Sequence, residues 1–121
     1  MKFDTIIIGG GLSGLISGIY LSQRGQRCVI ISSGQSALHF SSGSFDLLNN
    51  LPDGTSVQKP LDAISELVKQ APTHPYAKLG ETKFKELAQQ AEEFLKNAGI
   101  STQGDHEENH YRVTPMGTLK P

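Results

Sequence analysis

A β-branched strand that runs into a glycine-rich turn constrains the fold of this chain more than any other feature. The segment 5–8 leads directly into the motif Gly9-x-Gly11-x-x-Gly14, and apolar residues then recur at helical spacing through Tyr20. A buried strand, a tight glycine turn and a helix in this order are typical of the first half of a dinucleotide-binding βαβ unit. The sequence therefore predicts such a unit at the start of the chain.

Each glycine of the motif has a physical task. Gly9 allows the tight turn, Gly11 lets a phosphate approach the backbone without meeting a Cβ, and Gly14 lets the helix pack close to the strand. The first N–H groups of the helix, with Leu12 and Ser13, lie at the positive end of the helix dipole, where phosphates bind. We predict that these five residues hold a phosphate-bearing redox cofactor. A glycine turn without a ligand is the alternative.

The second strand is predicted over residues 27–32, and it lacks the acid that usually follows it and binds an adenosine ribose. Ser32 and Ser33 stand in that place, and no carboxylate occurs between Asp4 and Asp46. Three alternatives remain: a ligand without the adenosine half, such as FMN; a ligand with a 2′-phosphate, such as NADP, although no arginine follows the strand; or FAD, with its ribose held by serine hydroxyls and backbone.

The segment 33–44 is rich in serine and glycine, which is also the composition of a solvated linker. Leu38 and Phe40 are interleaved with these small residues, and disordered linkers rarely carry so much apolar bulk. The segment follows a strand, at the edge where parallel sheets bind ligands. We therefore predict a loop that contacts the cofactor.

The rest of the chain is predicted to be mainly helical. A turn is expected at residues 52–54, a short amphipathic helix at 61–71, an extended turn at 73–76, a longer helix at 81–98 and a strand at 111–113. We expect the apolar stripe of the longer helix to face a core.

These elements predict an α/β fold, namely the N-terminal part of a Rossmann-like, doubly wound FAD/NAD(P)-binding fold. Residues 1–48 form the βαβ unit with its cofactor loop, and residues 49–121 form a mainly helical inserted segment with the start of the following strand region. Two clear parallel strands do not complete a doubly wound sheet. We therefore expect an incomplete chain that is marginally stable on its own.

Few other side chains suggest chemistry. Eleven basic and twelve acidic residues give a net charge of −1, which does not suit nucleic acid binding. The single cysteine, Cys28, excludes a cysteine-ligated iron–sulfur cluster within this chain and fits a cytoplasmic, reducing setting. His106 and His110 lie in a hydrophilic run that favours an exposed turn, so we predict no metal site. His39 and His74 are assigned structural roles, and the catalytic residues stay unknown.

Three segments resemble the B subunit of anaerobic glycerol-3-phosphate dehydrogenase, and the similarity runs from Met1 to Pro121. They are Gln35–Leu48, Ala71–Tyr76 and Arg112–Leu119. The resemblance implies a flavoprotein subunit that works beside a larger flavin-containing dehydrogenase subunit and an iron–sulfur, membrane-anchoring subunit. That complex oxidises sn-glycerol 3-phosphate to dihydroxyacetone phosphate and passes electrons to quinone in anaerobic respiration.

The resemblance also implies FMN as the cofactor, with FAD the less favoured choice, and a cytoplasmic location at the inner membrane through a partner subunit. Ser41, Ser42 and Gly43 match a second family signature, and we expect flavin contact there. The hydroxyls of Ser41, Ser42 and Ser44 are suited to hydrogen bonds with the ribityl chain or the ring edge. Two alternatives stay open: an NAD(P)-dependent reductase of another family, and a structural subunit with a degenerate cofactor site.

Overall fold

The computed structural model describes all 121 residues and divides them into two compact units, residues 1–44 and residues 45–121. This boundary lies earlier than the predicted one after residue 48. The difference arises because Leu48 is buried in the core of the second unit and Leu47 packs against that core.

The first unit is the predicted βαβ arrangement. Strand β1 (Thr5–Ile8), helix α1 (Leu12–Ser22) and strand β2 (Cys28–Ile31) follow one another along the chain. The two strands pair in parallel, with Ile7 opposite Ile30. A 3-10 helix at Ala37–Phe40 follows β2. The predicted strand–turn–helix–strand order is therefore confirmed, and the parallel sheet has two strands.

One face of this sheet packs against α1 and the other is open. A Cβ added to Gly18, the buried residue of α1, would lie 3.1 Å from Ile30 Cδ1 and 3.4 Å from Ile7 Cδ1. Successive side chains of a strand point to opposite faces. The opposite face consequently carries exposed apolar side chains, namely Ile6, Ile8 and Ile31.

The second unit is built mainly from helices. A 3-10 turn at Leu61–Ala63 continues into α2, two further helices follow, and a short antiparallel hairpin lies at the end of the chain. The elements are α2 (Ile64–Gln70), α3 (Pro75–Leu79), α4 (Glu81–Asn97), β3 (Arg112–Val113) and β4 (Leu119–Lys120). The predicted positions of α2, α4 and β3 are confirmed to within a few residues.

Helix α3 corrects the prediction of an extended turn at residues 73–76. His74 is extended, with φ −58° and ψ 141°, but Pro75 already begins a helix. Proline suits the first helical position because its missing N–H has no helical partner there. The Nδ1 atom of His74 accepts a hydrogen bond from the N–H of Tyr76 at 3.2 Å, so this histidine caps the helix.

The core of the second unit is formed by one apolar cluster of buried residues. Ile64 and Leu67 of α2 are almost completely buried, and Phe84 anchors α4 to them. The predicted burial of the α4 stripe holds for Phe84 and Ala88, whereas Leu87 and Phe94 stay more than one-third exposed. The other members of the cluster are Leu48, Leu51 and Val57.

Candidate cofactor site

The glycine loop, residues 9–14, lies at the carboxyl end of β1. Gly9 has φ +111°, a backbone conformation that residues with a Cβ rarely adopt. Its N–H donates to the carbonyl of Ile31 at 2.8 Å, which continues the parallel pairing past the last residue of β1. The turn predicted at Gly9 therefore starts from a fixed position beside the end of β2.

Gly14 is glycine because of packing within the protein. A Cβ at this position would collide with the carbonyl oxygen of Gly9 and would lie 3.4 Å from Ile7 Cγ2. Helix α1 consequently lies closer to β1 than it could if any other residue stood at position 14. This is the packing role that the sequence predicts for Gly14.

Gly11 differs, because nothing in the protein fills the space beside it. It has ordinary extended backbone angles, φ −76° and ψ 178°, and an added Cβ would meet no atom within 4 Å. Neither backbone conformation nor internal packing therefore requires glycine here. The open space beside Gly11 is the place where a ligand group can approach the backbone.

The donors for such a group come from the first turn of α1. The first hydrogen bond of this turn runs from the N–H of Leu15 to the carbonyl of Gly11 at 3.0 Å, and Gly11 provides no side-chain cap. The preceding N–H groups, those of Leu12, Ser13 and Gly14, thus have no carbonyl partner in the helix. Together with the helix dipole they suit an anion, so these residues fit the phosphate of a flavin nucleotide.

Ser32 is brought next to the glycine loop. A Cβ on Gly10 would lie 2.9 Å from Ser32 Oγ and 3.0 Å from Ser32 Cβ. Sequence reasoning did not assign a role to Gly10, and the run of three consecutive glycines was the signal available. Glycine suits position 10 because the side chain of Ser32, the residue that follows β2, lies directly beside it.

The other predicted contact residues lie further along the chain. Ser33 precedes Gly34, which has φ +70° and redirects the backbone. The serine segment, residues 41–44, follows the 3-10 helix and carries a second left-handed glycine, Gly43, with φ +69°. Ser42 Oγ and Ser44 Oγ lie 3.0 Å apart, and the Ser41 N–H donates to Leu38. None of these contacts joins the serine segment to the glycine loop, so its role toward a flavin stays a prediction.

The charged side chains of the first unit lie away from the glycine loop. Asp4 and Arg27 form an ion pair at the amino ends of β1 and β2, where Arg27 Nε lies 3.2 Å from Asp4 Oδ2. Hydrogen bonds from Arg27 hold the pKa of Asp4 below its ordinary value. Arg24 stacks over the ring of Tyr20 near the end of α1. An anion at the carboxyl edge of the strands would therefore be held by backbone N–H groups rather than by a cationic side chain.

The histidine pair of the second unit does not form a metal site. His106 Nδ1 lies 2.9 Å from a carboxylate oxygen of Glu92 on α4, and the side chain is only 13% exposed. The exposed turn predicted here is therefore wrong for His106, because the loop folds back onto α4. No group of three or more His, Cys, Asp or Glu side chains is arranged to hold a metal ion.

Comparison with known proteins agrees with this geometry. Residues 4–121 match the family described as FAD binding domain. Proteins named as the B subunit of anaerobic glycerol-3-phosphate dehydrogenase are similar: one from Pectobacterium atrosepticum is 52% identical over 120 residues, which is 99% of this chain and 29% of that protein. One from Yersinia pestis is 55% identical over 122 residues (100% and 29%), and one from Haemophilus ducreyi is 50% identical over 120 residues (99% and 28%).

The chain thus spans about 29% of the length of the curated relatives it matches. No solved structure matches it, and none of its helices combines the length and apolar character needed to cross a membrane. The family description supports a flavin cofactor but names FAD, so it does not support the predicted preference for FMN. The resemblance to the B subunit is confirmed at 50–55% identity over essentially the whole chain. By its match over residues 4–121, the chain belongs to the FAD binding domain family.

Proposed function

We propose that this chain forms the flavin-phosphate-binding part of a flavoprotein subunit of a glycerol-3-phosphate dehydrogenase. The observation that carries the proposal is the open space beside Gly11, the residue that immediately precedes the unpartnered N–H groups at the start of α1. Similarity to proteins named as the B subunit of that dehydrogenase supplies the reaction. A bound flavin would supply two-electron redox chemistry at this site.

The proposed reaction removes two electrons and two protons from sn-glycerol 3-phosphate. The secondary alcohol becomes the ketone of dihydroxyacetone phosphate, and a quinone that takes up the two electrons and two protons becomes a quinol. The residues of this chain bind and orient: Gly11, Leu12, Ser13 and Gly14 would hold the flavin phosphate through backbone N–H groups. The glycine loop carries no acid–base side chain, so we place proton removal from the substrate outside it.

We propose FMN rather than FAD as the flavin. FMN ends at one phosphate, for which the start of α1 provides donors. FAD adds an adenosine ribose, which a carboxylate at the end of the second strand usually binds. Ser32 and Ser33 occupy that place, and no charged side chain occurs from residue 28 to residue 45. The same neutral edge lacks the arginine that a 2′-phosphate of NADP would need.

The cofactor proposal is tested by identifying the flavin itself. The protein is purified under native conditions, the flavin is released by denaturation, and it is identified by chromatography and mass. We expect one FMN per chain. Stoichiometric FAD would overturn the choice of FMN but leave a flavin site, whereas a bound nicotinamide nucleotide would support a reductase of another family.

We further propose that the protein works on the cytoplasmic side of the inner membrane, together with a larger flavin-containing subunit and an iron–sulfur, membrane-anchoring subunit. The subunit designation of its relatives supports a multisubunit assembly. This proposal predicts that activity belongs to the assembly. We expect the assembled complex to reduce an artificial dye with sn-glycerol 3-phosphate as the electron donor. The rate of dye reduction by the isolated chain is expected to stay at background. Rapid turnover by the isolated chain would contradict the proposal.

A further inference from the structure

The end of β2 presents one side chain directly to the glycine loop. Ile31, the last residue of β2, accepts the N–H of Gly9 at 2.8 Å, and this hydrogen bond fixes the residue that follows. Ser32 is exposed, and its Oγ lies 2.9 Å from the position that a Cβ of Gly10 would take. A longer side chain at position 32 would therefore extend from beside Gly10 into solvent at the ligand edge.

We propose that Ser32 is the specificity-determining residue of this site and selects a flavin that ends at its first phosphate. The inference rests on the proposed flavin-binding function and goes beyond it by assigning the selection to one side chain. A carboxylate at this place accepts charge-assisted hydrogen bonds from a ribose diol, whereas a serine hydroxyl offers a weaker, neutral partner.

The size of the selection follows from these hydrogen bonds. Hydrogen bonds to charged groups are stronger than hydrogen bonds between neutral groups, so we expect the serine to bind FAD about tenfold more weakly than a carboxylate would. FMN has no adenosine ribose and does not lose this contact.

Ser17 provides a control for added charge. It is also an exposed serine of the first unit, but it lies in the middle of α1, outside the glycine loop and outside the segment that follows β2. The side chain that lies against Gly10 is that of Ser32. An acid at position 17 therefore adds the same charge without the placement beside Gly10.

The experiment measures dissociation constants for FMN and for FAD with the full chain after its flavin has been removed. The variants are Ser32→Glu, the neutral Ser32→Gln and the control Ser17→Glu. For Ser32→Glu we expect the ratio of FAD to FMN affinity to rise about tenfold over the wild type. The Ser32→Gln and Ser17→Glu variants are expected to stay within about twofold of the wild-type ratio, because the first lacks the charge and the second lacks the placement.

Several results would overturn the inference. An unchanged ratio in Ser32→Glu with a wild-type melting curve would reject Ser32 as the determinant and leave the flavin site intact. An equal rise in Ser17→Glu would show a general charge effect and would also reject it. A wild-type protein that binds no flavin, or that prefers FAD, would reject the inference together with the proposed choice of cofactor. If Ser32→Glu does not fold, the shorter Ser32→Asp is read by the same criteria.

Discussion

The carbonyl oxygen of Gly9 occupies the space that a Cβ of Gly14 would need. This contact brings the start of α1 against the end of β1 and sets the direction in which the first N–H groups of the helix point. Gly14→Ala is therefore expected to move the helix, lower the stability of the first unit by about 1–3 kcal/mol and reduce bound flavin. Thermal denaturation and flavin content measure the two effects.

Ser17→Ala is the matched control for this prediction. It also places alanine on α1, but at an exposed position, so stability and flavin content are expected to stay near those of the wild type. A Gly14→Ala protein with wild-type melting and wild-type flavin content would show that the loop tolerates a Cβ at this position.

The second unit depends on one buried amide. Asn109 is 8% exposed, and its Nδ2 donates to the carbonyls of Leu48 at 2.9 Å and Val57 at 2.6 Å. Asn109→Ala would leave both carbonyls without this donor, and we expect a loss of about 2–4 kcal/mol in the free energy of unfolding. Urea denaturation followed by tyrosine fluorescence measures the loss.

Asn97→Ala, at the exposed end of α4, provides the comparison for that measurement. Its unfolding free energy is expected to lie within about 0.5 kcal/mol of the wild-type value. If the two asparagine variants are equally stable, the amide of Asn109 does not hold the 48–57 segment as described.

The ion pair between Asp4 and Arg27 predicts a pH dependence for the first unit. Arg27 holds the pKa of Asp4 below its ordinary value of 3.8 in the folded protein. A carboxyl with a lowered folded pKa stabilises the fold above its unfolded pKa, and this contribution disappears as the pH falls through the folded pKa. Asp4→Asn is therefore expected to weaken β1–β2 pairing slightly at pH 7 and to have no effect at a pH below the folded pKa of Asp4.

Amide hydrogen exchange of β1 and β2, compared with the wild type at each pH, reports this difference. Arg27→Gln should give a smaller effect of the same sign, since the backbone N–H of residue 27 still donates to Asp4. An Asp4→Asn effect that is the same at pH 7 and in acid would rule out the ion pair as its cause.

The sequence was most informative where local rules and packing agree. The β-branched strand, Gly9 and the apolar spacing of α1 all specify one βαβ unit, and the structure contains it. Helix α3 was missed because proline preceded by an extended residue indicates a turn, while the same proline also suits a first helical position once His74 caps it. The contacts of Asn109 with Leu48 and Val57 join segments that are far apart in the chain, so no local sequence pattern predicts them.

The candidate site was likewise predictable in part. The roles of Gly9 and Gly14 follow from the motif, because both depend on backbone geometry within one turn. The approach of Ser32 to Gly10 depends on strand register, which the motif does not specify. Whether the serine segment reaches a flavin depends on the path of residues 33–44, and their composition does not determine that path.

The most direct test of the claim that this loop holds the cofactor phosphate is the flavin content of the Gly11→Val protein. Gly11 has backbone angles open to any residue and empty space beside it, so valine is expected to leave the melting temperature of the protein near its wild-type value. The valine side chain would fill the space that the phosphate needs, and we expect bound flavin to fall at least about tenfold. A folded Gly11→Val protein that keeps its full complement of flavin would contradict the claim.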